Sequence, residues 1–289
     1  MPAIIVHGGA GADSSQAPEF RQGVRAAVLA GWRVLAEGGT ALDAVESAVR
    51  ALEDDPRFNA GRGSVLTREG TIEMDASIME GDRLQCGAVG AVTRVANPIT
   101  LARRVLETRR HILLVGDGAL AFARAAGIAE CDAASLVTDR QRKRHTELAR
   151  RPAALGGTVG AVALDRSGTV AAATSTGGTA GKLPGRVGDS ALIGCGTYAD
   201  SSIGGVSCTG DGEAIIRVVL GHQALRYLKD ADDPDYAAKV AVDLLVEEGR
   251  GQGGLILIDW RGRAGYASST ALMPVAIMSP TLTEPRAPF

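Results

Sequence analysis

The chain has 289 residues, 45% hydrophobic and 22% charged, which allows a substantial core and excludes a disordered chain. Lys and Arg number 31 against 33 Asp and Glu, a net charge of −2; this makes no electrostatic case for nucleic acid or an anionic membrane. The four cysteines lack Cys-x-x-Cys spacing, and "MPAIIVHGG" has neither a basic region nor a long apolar one, so the expectation is a reduced, cytoplasmic protein without a disulfide framework.

In chain order, "AIIVH" reads as a strand followed by the turn-rich "GGAGADSS". Phe20, Val24, Ala27, Val28, Gly31 and Leu35 form a helical stripe over 19–38. Thr40 with Asp43 resembles a capping arrangement that opens a second helix, broken by "DPRFNAGRGS". "SVLTREGTIEMDASIME" reads as a hairpin or meander turning near Glu69 and Gly70, and "CGAVGAVTRV" as a further strand. A helix starts at Asn97-Pro98, "HILLVG" reads as a buried strand, and 117–127 is helical. Residues 131–157 are charged and then small, with weak apolar periodicity, which is the character of a linker.

Beyond that segment the pattern changes. "GAVALDRSGTVAAATST" and "GGLILIDWRGRAGYASST" share one plan of strand, Asp-x-x-Gly, strand and Ser-Thr, expected to be hairpins stacked in an antiparallel sheet. "GEAIIRVVLGHQALRYLKD" and "DYAAKVAVDLLVEEG" between them are amphipathic helices. Helices and hairpin-connected strands without steady β-α-β alternation favour a layered α+β fold.

Taken singly, the chemical motifs are ambiguous. "VHGGAGADS" lacks the spacing of a nucleotide loop and reads better as a tight turn near a pocket. The basic run from Arg140 to His145 carries no aromatics and reads as a solvated helix or linker. The four histidines show no metal-ligand spacing, and no Gly-x-Ser-x-Gly elbow is present. "SCTGDGE" puts Thr209, Gly210 and Gly212 at a helix N-terminus, where amides serve either as an ordinary cap or as an oxyanion hole. Arg186 and Asp189 are either a surface pair or, inside a pocket, a grip on the α-carboxylate and α-ammonium of an amino acid. Thr158 in "ALGGTVGAVALD" either opens a strand through β-propensity or becomes a new N-terminus after a cut.

Together, "HGGAG", "FNAGRGSVLTREGTIEMDASIMEG", "GGTVGAVALD", "TSTGG", "KLPGRVGDS" and "SCTGDGE" run nearly end to end. In that order they resemble the plant-type L-asparaginase and isoaspartyl aminopeptidase family of N-terminal-nucleophile hydrolases. The resemblance implies a four-layer αββα sandwich forming a single domain, autocleaved between Gly157 and Thr158 into fragments 1–157 and 158–289. It implies Thr158 as nucleophile, Thr176 as the residue that orients it, and Thr209 with Gly210 as the oxyanion hole. It further implies Arg186 and Asp189, with Gly212, as the substrate's α-carboxylate and α-ammonium site, and Asn59 as a wall of the nucleophile pocket. A structural sodium ion on the backbone carbonyls of Leu52, Glu53, Asp55, Phe58, Ala60 and Arg62, no cofactor for catalysis, and a homodimer of processed protomers complete what it implies. Two features depart from the family pattern: the segment before Thr158 is short, and the middle residue of "TGDGE" is Asp211, an acid beside the expected pocket.

The chemistry agrees with these residues. A threonine hydroxyl needs an adjacent base, and a freed α-amine with an unperturbed pKa of about 7.7–8.0 supplies one on the same residue. The expected reaction is hydrolysis of L-asparagine and of β-aspartyl dipeptides through a β-aspartyl ester. The alternatives are an aspartylglucosaminidase-like amidase, disfavoured by the lack of a signal peptide, and a non-catalytic amino-acid-binding protein that keeps the fold. Aspartate binding without ammonia release from fully cleaved protein would single out the latter.

Overall fold

An apolar run without polar alternation belongs inside a sheet rather than at its edge, and β1 (Ala3–His7) is buried at all five positions. The computed structural model describes residues 1–11, 17–148 and 157–288. Helices α1 (Ala17–Ala36) and α2 (Ala41–Asp54) follow β1. Thr40 caps α2: its Oγ1 accepts the Asp43 N–H at 3.1 Å, and its hydroxyl donates to the Asp43 carboxylate at 2.7 Å. Thr40→Ala is therefore expected to cost about 1 kcal/mol, read as a lower denaturant midpoint at unchanged slope.

The turn near Gly70 closes on an isolated bridge between Leu66 and Ile72 and leads into β2 (Met74–Glu80), which pairs antiparallel with β3 (Gln85–Val92). Helix α3 (Pro98–Thr108) starts at the expected proline. "HILLVG" differs from expectation. Only β4 (Leu113–Val115) is extended there; it sits at the sheet edge with β3 as its one neighbour, and Leu113 and Val115 are exposed. A run this short reads alike at an edge and in the middle of a sheet. Helix α4 (Gly116–Ala125) follows. The expected linker carries α5 (Ala133–Leu136) and α6 (Asp139–Leu148), and its remainder through residue 156 lies outside the described residues. The basic run lies on α6, where Arg140 donates to the Pro56 carbonyl and Gln141 to that of Gly63 at 2.8 Å.

The second half comprises β5 (Val159–Leu164), β6 (Val170–Thr176), β7 (Thr197–Asp200), β8 (Gly204–Gly210), α7 (Gly212–Val218), α8 (Leu220–Ala231), α9 (Pro234–Glu247), β9 (Gly253–Asp259), β10 (Ala264–Ser268) and β11 (Val275–Met278). Both Asp-x-x-Gly hairpins form, with the same turn chemistry. Asp165 Oδ1 accepts from the N–H groups of Ser167 and Thr169, and Asp259 Oδ1 from those of Arg261 and Arg263. They lie in different sheets, not stacked in one, because β5 pairs with β1 while β9 pairs with β8. The stretch 212–231 is two helices rather than one. Val219 adopts φ +50°, and the N–H groups of Gly221 and His222 donate to the carbonyls of Cys195 and Gly194.

One sheet has the order β11-β1-β5-β6-β2-β3-β4, antiparallel except between β3 and β4; the other has β10-β9-β8-β7. The two meet through contacts of β5 and β6 with β8 and of β1 with β9. Three apolar clusters hold this α+β arrangement together. One joins Val24, Val28, Val45 and Leu52 of α1 and α2 to Ile4, Val6 and Ala161 of the larger sheet. A second joins Ile215, Leu225 and Leu245 of α7–α9 to Leu255 and Leu257 of the smaller sheet. The third, with Ile5, Val162, Val170, Ile256 and Ile258, lies where the sheets face each other. Among the described residues no helix is long and apolar enough to cross a membrane.

Candidate active site

Thr158 immediately precedes β5, a strand buried at every position between β1 and β6. Register pairs Val159 with Ser175, which brings the neighbouring Thr176 beside Thr158. The Thr158 hydroxyl donates to Thr176 Oγ1 at 3.1 Å, and the Gly178 N–H donates to the same oxygen at 2.9 Å. Thr209 comes from β8 of the other sheet. Its Oγ1 accepts the Thr158 N–H at 3.3 Å and the Ala10 N–H at 3.0 Å. Three threonines far apart in sequence thus converge, and all three are buried. A hydroxyl in such a cluster is held in place while its own proton has an acceptor, the arrangement an acyl-transfer nucleophile requires.

The backbone before Thr158 is pressed from one side. Gly9 adopts φ +100°, and a Cβ there would stand 2.5 Å from Gly157 Cα and 2.9 Å from Thr158 N. Only glycine fits both the left-handed backbone and the approach. Asn59 Nδ2 donates to the Gly178 carbonyl and its Oδ1 accepts the Val65 N–H, both at 2.8 Å, so it anchors the turn whose Gly178 N–H donates to Thr176.

Gly178 also faces the charged part of the site, since a Cβ there would be 3.3 Å from Arg186 Nη1. A Cβ on Gly212 would stand 2.7 Å from Arg186 Nη2 and 2.8 Å from Asp189 Oδ1, so cation and anion converge over this glycine. Arg186 is mostly buried and Asp189 fully so. Burial raises the Asp189 carboxyl to about 7; Arg186 opposes this, while Asp75 and Glu213 add to it. Among the described residues its Oδ2 has no partner. A buried carboxylate beside a guanidinium, with an unmet acceptor, suits a zwitterion. Asp75 holds the loop from beneath by accepting the Gly188 N–H at 2.9 Å, and the buried Lys182 lies nearby.

Asp211 serves as a cap: its carboxylate accepts the Ala214 N–H at 3.3 Å at the start of α7. Three participants escaped the sequence reading. Glu213 binds Arg186, and Lys182 lies under the loop. His7 is buried against Ser207 at 2.9 Å and close to the Thr158 backbone, and burial drives its pKa down to about 3. The only sequence signal for them is that each lies inside a motif already singled out, "HGGAG", "KLPGRVGDS" or "SCTGDGE".

The asparaginase family model matches residues 1–284, nearly the whole chain. The chain belongs to the asparaginase family. An isoaspartyl peptidase/L-asparaginase from Xenopus laevis is 49% identical over 268 residues, covering 90% of this chain and 87% of the relative. A plant-type L-asparaginase from Pyrococcus abyssi is 44% identical over 99% of both chains. The isoaspartyl peptidase/L-asparaginase of Homo sapiens is 47% identical over 270 residues, 90% of this chain and 88% of its own.

Proposed function

We propose that this asparaginase-family chain is a self-processing amidohydrolase that converts L-asparagine to L-aspartate and ammonia and cleaves β-aspartyl dipeptides. The observation that carries the reading is the Thr158–Thr176–Thr209 cluster, joined through Gly178 to the Arg186–Asp189 pair. Thr158 is the nucleophile in both reactions. In processing, its Oγ attacks the Gly157 carbonyl carbon, the peptide C–N bond breaks, and nitrogen takes up the hydroxyl proton. Water then cleaves the resulting ester, leaving a Gly157 carboxylate and a free α-amine on Thr158.

In turnover, that amine takes the hydroxyl proton as Thr158 Oγ attacks the substrate's side-chain carbonyl. Thr209 and Gly210 receive the oxyanion, and the amine returns the proton to the departing ammonia or peptide amine. Water then hydrolyses the β-aspartyl ester, releasing aspartate. Arg186 holds the α-carboxylate, and Asp189, with Gly212, the α-ammonium. The fold reading is a four-layer αββα sandwich cut into 1–157 and 158–289, supported by helices α1–α3 against one sheet, α7–α9 against the other, and the sheets in mutual contact. Running the purified protein on a denaturing gel and assaying ammonia release tests it: two fragments and activity are expected, whereas an active uncut chain overturns the nucleophile assignment.

The sodium site that the family resemblance implies would use backbone carbonyls of the loop 52–62, of which those of Glu53 and Asp55 accept the Arg62 and Phe58 N–H groups at 2.8 and 3.1 Å. Leu52, Glu53, Asp55, Phe58, Ala60 and Arg62 would hold a sodium ion that stiffens the loop bearing Asn59. The processed protomers would pair as a homodimer. Sedimentation of the cleaved protein at twice the protomer mass is the expected result.

The pH profile follows from Asp189. Arg186 and Glu213 on one side, Asp75 on another, and the thiols of Cys195 and Cys208 face this carboxyl. It must be ionised to hold an ammonium, and in the free enzyme burial raises it to about 7. The acid limb of kcat/KM is therefore expected to involve two protons, those of Asp189 and of the Thr158 amine. In kcat the Asp189 component moves to lower pH, because bound ammonium stabilises the carboxylate. Asp189→Asn should leave a one-proton limb in kcat/KM, and an unchanged limb would contradict the assignment.

A further inference from the structure

Arg186 has five N–H donors, and the way they are divided is specific. Its Nε donates to Glu213 Oε1 at 2.9 Å and its Nη2 to Oε2 at 2.7 Å, a bidentate pair on the side edge of the guanidinium. The end edge, formed by Nη1 and Nη2, faces Gly178, Gly188 and Gly212: a Cβ on Gly188 would lie 2.6 Å from Nη1, and one on Gly212 would lie 2.7 Å from Nη2. A side chain at any of these three positions would collide with the guanidinium or crowd it, so glycine there keeps Nη1 and Nη2 from being covered. Glu213 lies outside the pocket, in the first turn of α7, whose start Asp211 fixes by capping. Its carboxylate is half-exposed, whereas the arginine it grips is mostly buried.

We infer that Glu213 is a positioning and specificity-determining residue: it clamps the side edge of Arg186 so that the end edge meets the substrate's α-carboxylate, and it partly neutralises the cation there. This rests on the reading of Arg186 as the carboxylate site. The division of labour follows from the geometry of the fork, which can bind one carboxylate on each of two edges at once. A guanidinium released from Glu213 would have to be ordered by the substrate itself, at a cost in rotamer freedom. Unneutralised, it would also act more strongly on Asp189. The charges facing Asp189 are Arg186, Glu213 and Asp75, with Lys182 behind Asp75, and the neighbouring thiols are Cys195 and Cys208. Of these, Glu213 is among the groups that raise the Asp189 carboxyl, and Arg186 lowers it.

The test compares Glu213→Ala, Glu213→Gln and Arg186→Ala in the processed enzyme with L-asparagine as substrate. For Glu213→Ala, KM is expected to rise at least about fivefold, which is about 1 kcal/mol of carboxylate binding lost to ordering the freed guanidinium. Because Glu213 touches no reacting atom, kcat should stay within about twofold. Glu213→Gln keeps the shape and one acceptor but not the charge, so its KM rises less while the Asp189 limb of kcat/KM moves to lower pH. A KM within about twofold of the parent in both variants, with an unmoved limb, overturns the proposal and leaves Glu213 an ordinary surface ion pair. A fall in kcat at unchanged KM overturns it as well. Arg186→Ala separates the two levels of argument. If it alone loses saturable binding, only the role of Glu213 falls; if it keeps the parental KM, the carboxylate site is misassigned and both fall together.

Discussion

Thr158→Ala is expected to remain a single uncut chain with asparaginase activity reduced by at least about 10⁴-fold, since removing a nucleophile abolishes the acyl-enzyme route. The hydroxyl lost is the one that donates to Thr176 at 3.1 Å, in a position buried from water. Thr176 Oγ1 keeps the Gly178 N–H, and Thr209 Oγ1 keeps those of Ala10 and residue 158, so neither partner is stranded. The variant should therefore fold, with a melting temperature close to that of the parent, and intact mass would show residues 1–289 in one piece. Thr158→Ser, which retains a hydroxyl, should still be cut. Processing of the alanine variant, or activity in its uncut form, would place the nucleophile elsewhere.

Gly9→Ala acts on the first of the two reactions. The new Cβ would press on Gly157 Cα at 2.5 Å and on the Gly157 carbonyl carbon at 2.8 Å, the atom that Thr158 attacks. The left-handed backbone at φ +100° adds about 1–3 kcal/mol of strain for a residue with a side chain. Either the loop of Gly9 or the scissile peptide must shift, and a misplacement of about 1 Å at a reacting centre costs on the order of 100-fold in rate. The half-time of processing, followed by gel densitometry of freshly purified protein, is expected to lengthen by that order. Processing at the parental rate would show that this contact does not align the scissile bond.

Local order was well expressed along the chain. Pro98 starts α3, Thr40 caps α2, and both Asp-x-x-Gly turns form with the aspartate binding the N–H groups two and four residues on. Each depends on residues within one turn of each other, and such signals survive in a linear reading. Strands β7, β8 and β11 were not visible: β8 is rich in glycine and small polar residues, and β7 and β11 have only four residues each. The break at Val219 was hidden for a related reason. The apolar stripe continues through it, and what ends α7 and resets α8 is capture of the Gly221 and His222 amides by a loop more than twenty residues upstream.

The same division runs through the active site. Read residue by residue, the sequence left Thr158, Thr209, Arg186 and Asp189 ambiguous; the resemblance of the ordered motifs to a known family is what named them, with Thr176, for acyl transfer on an amino-acid substrate. Only the tertiary structure decided that Thr209 reaches Thr158 across 51 residues and Ala10 across 199, that Asn59 anchors Gly178, and that Glu213 holds Arg186. Residue types and their order express the chemistry available to a chain. Which hydroxyl meets which amide depends on strand register and on the packing of one sheet against another, and these arise from burying the whole core at once.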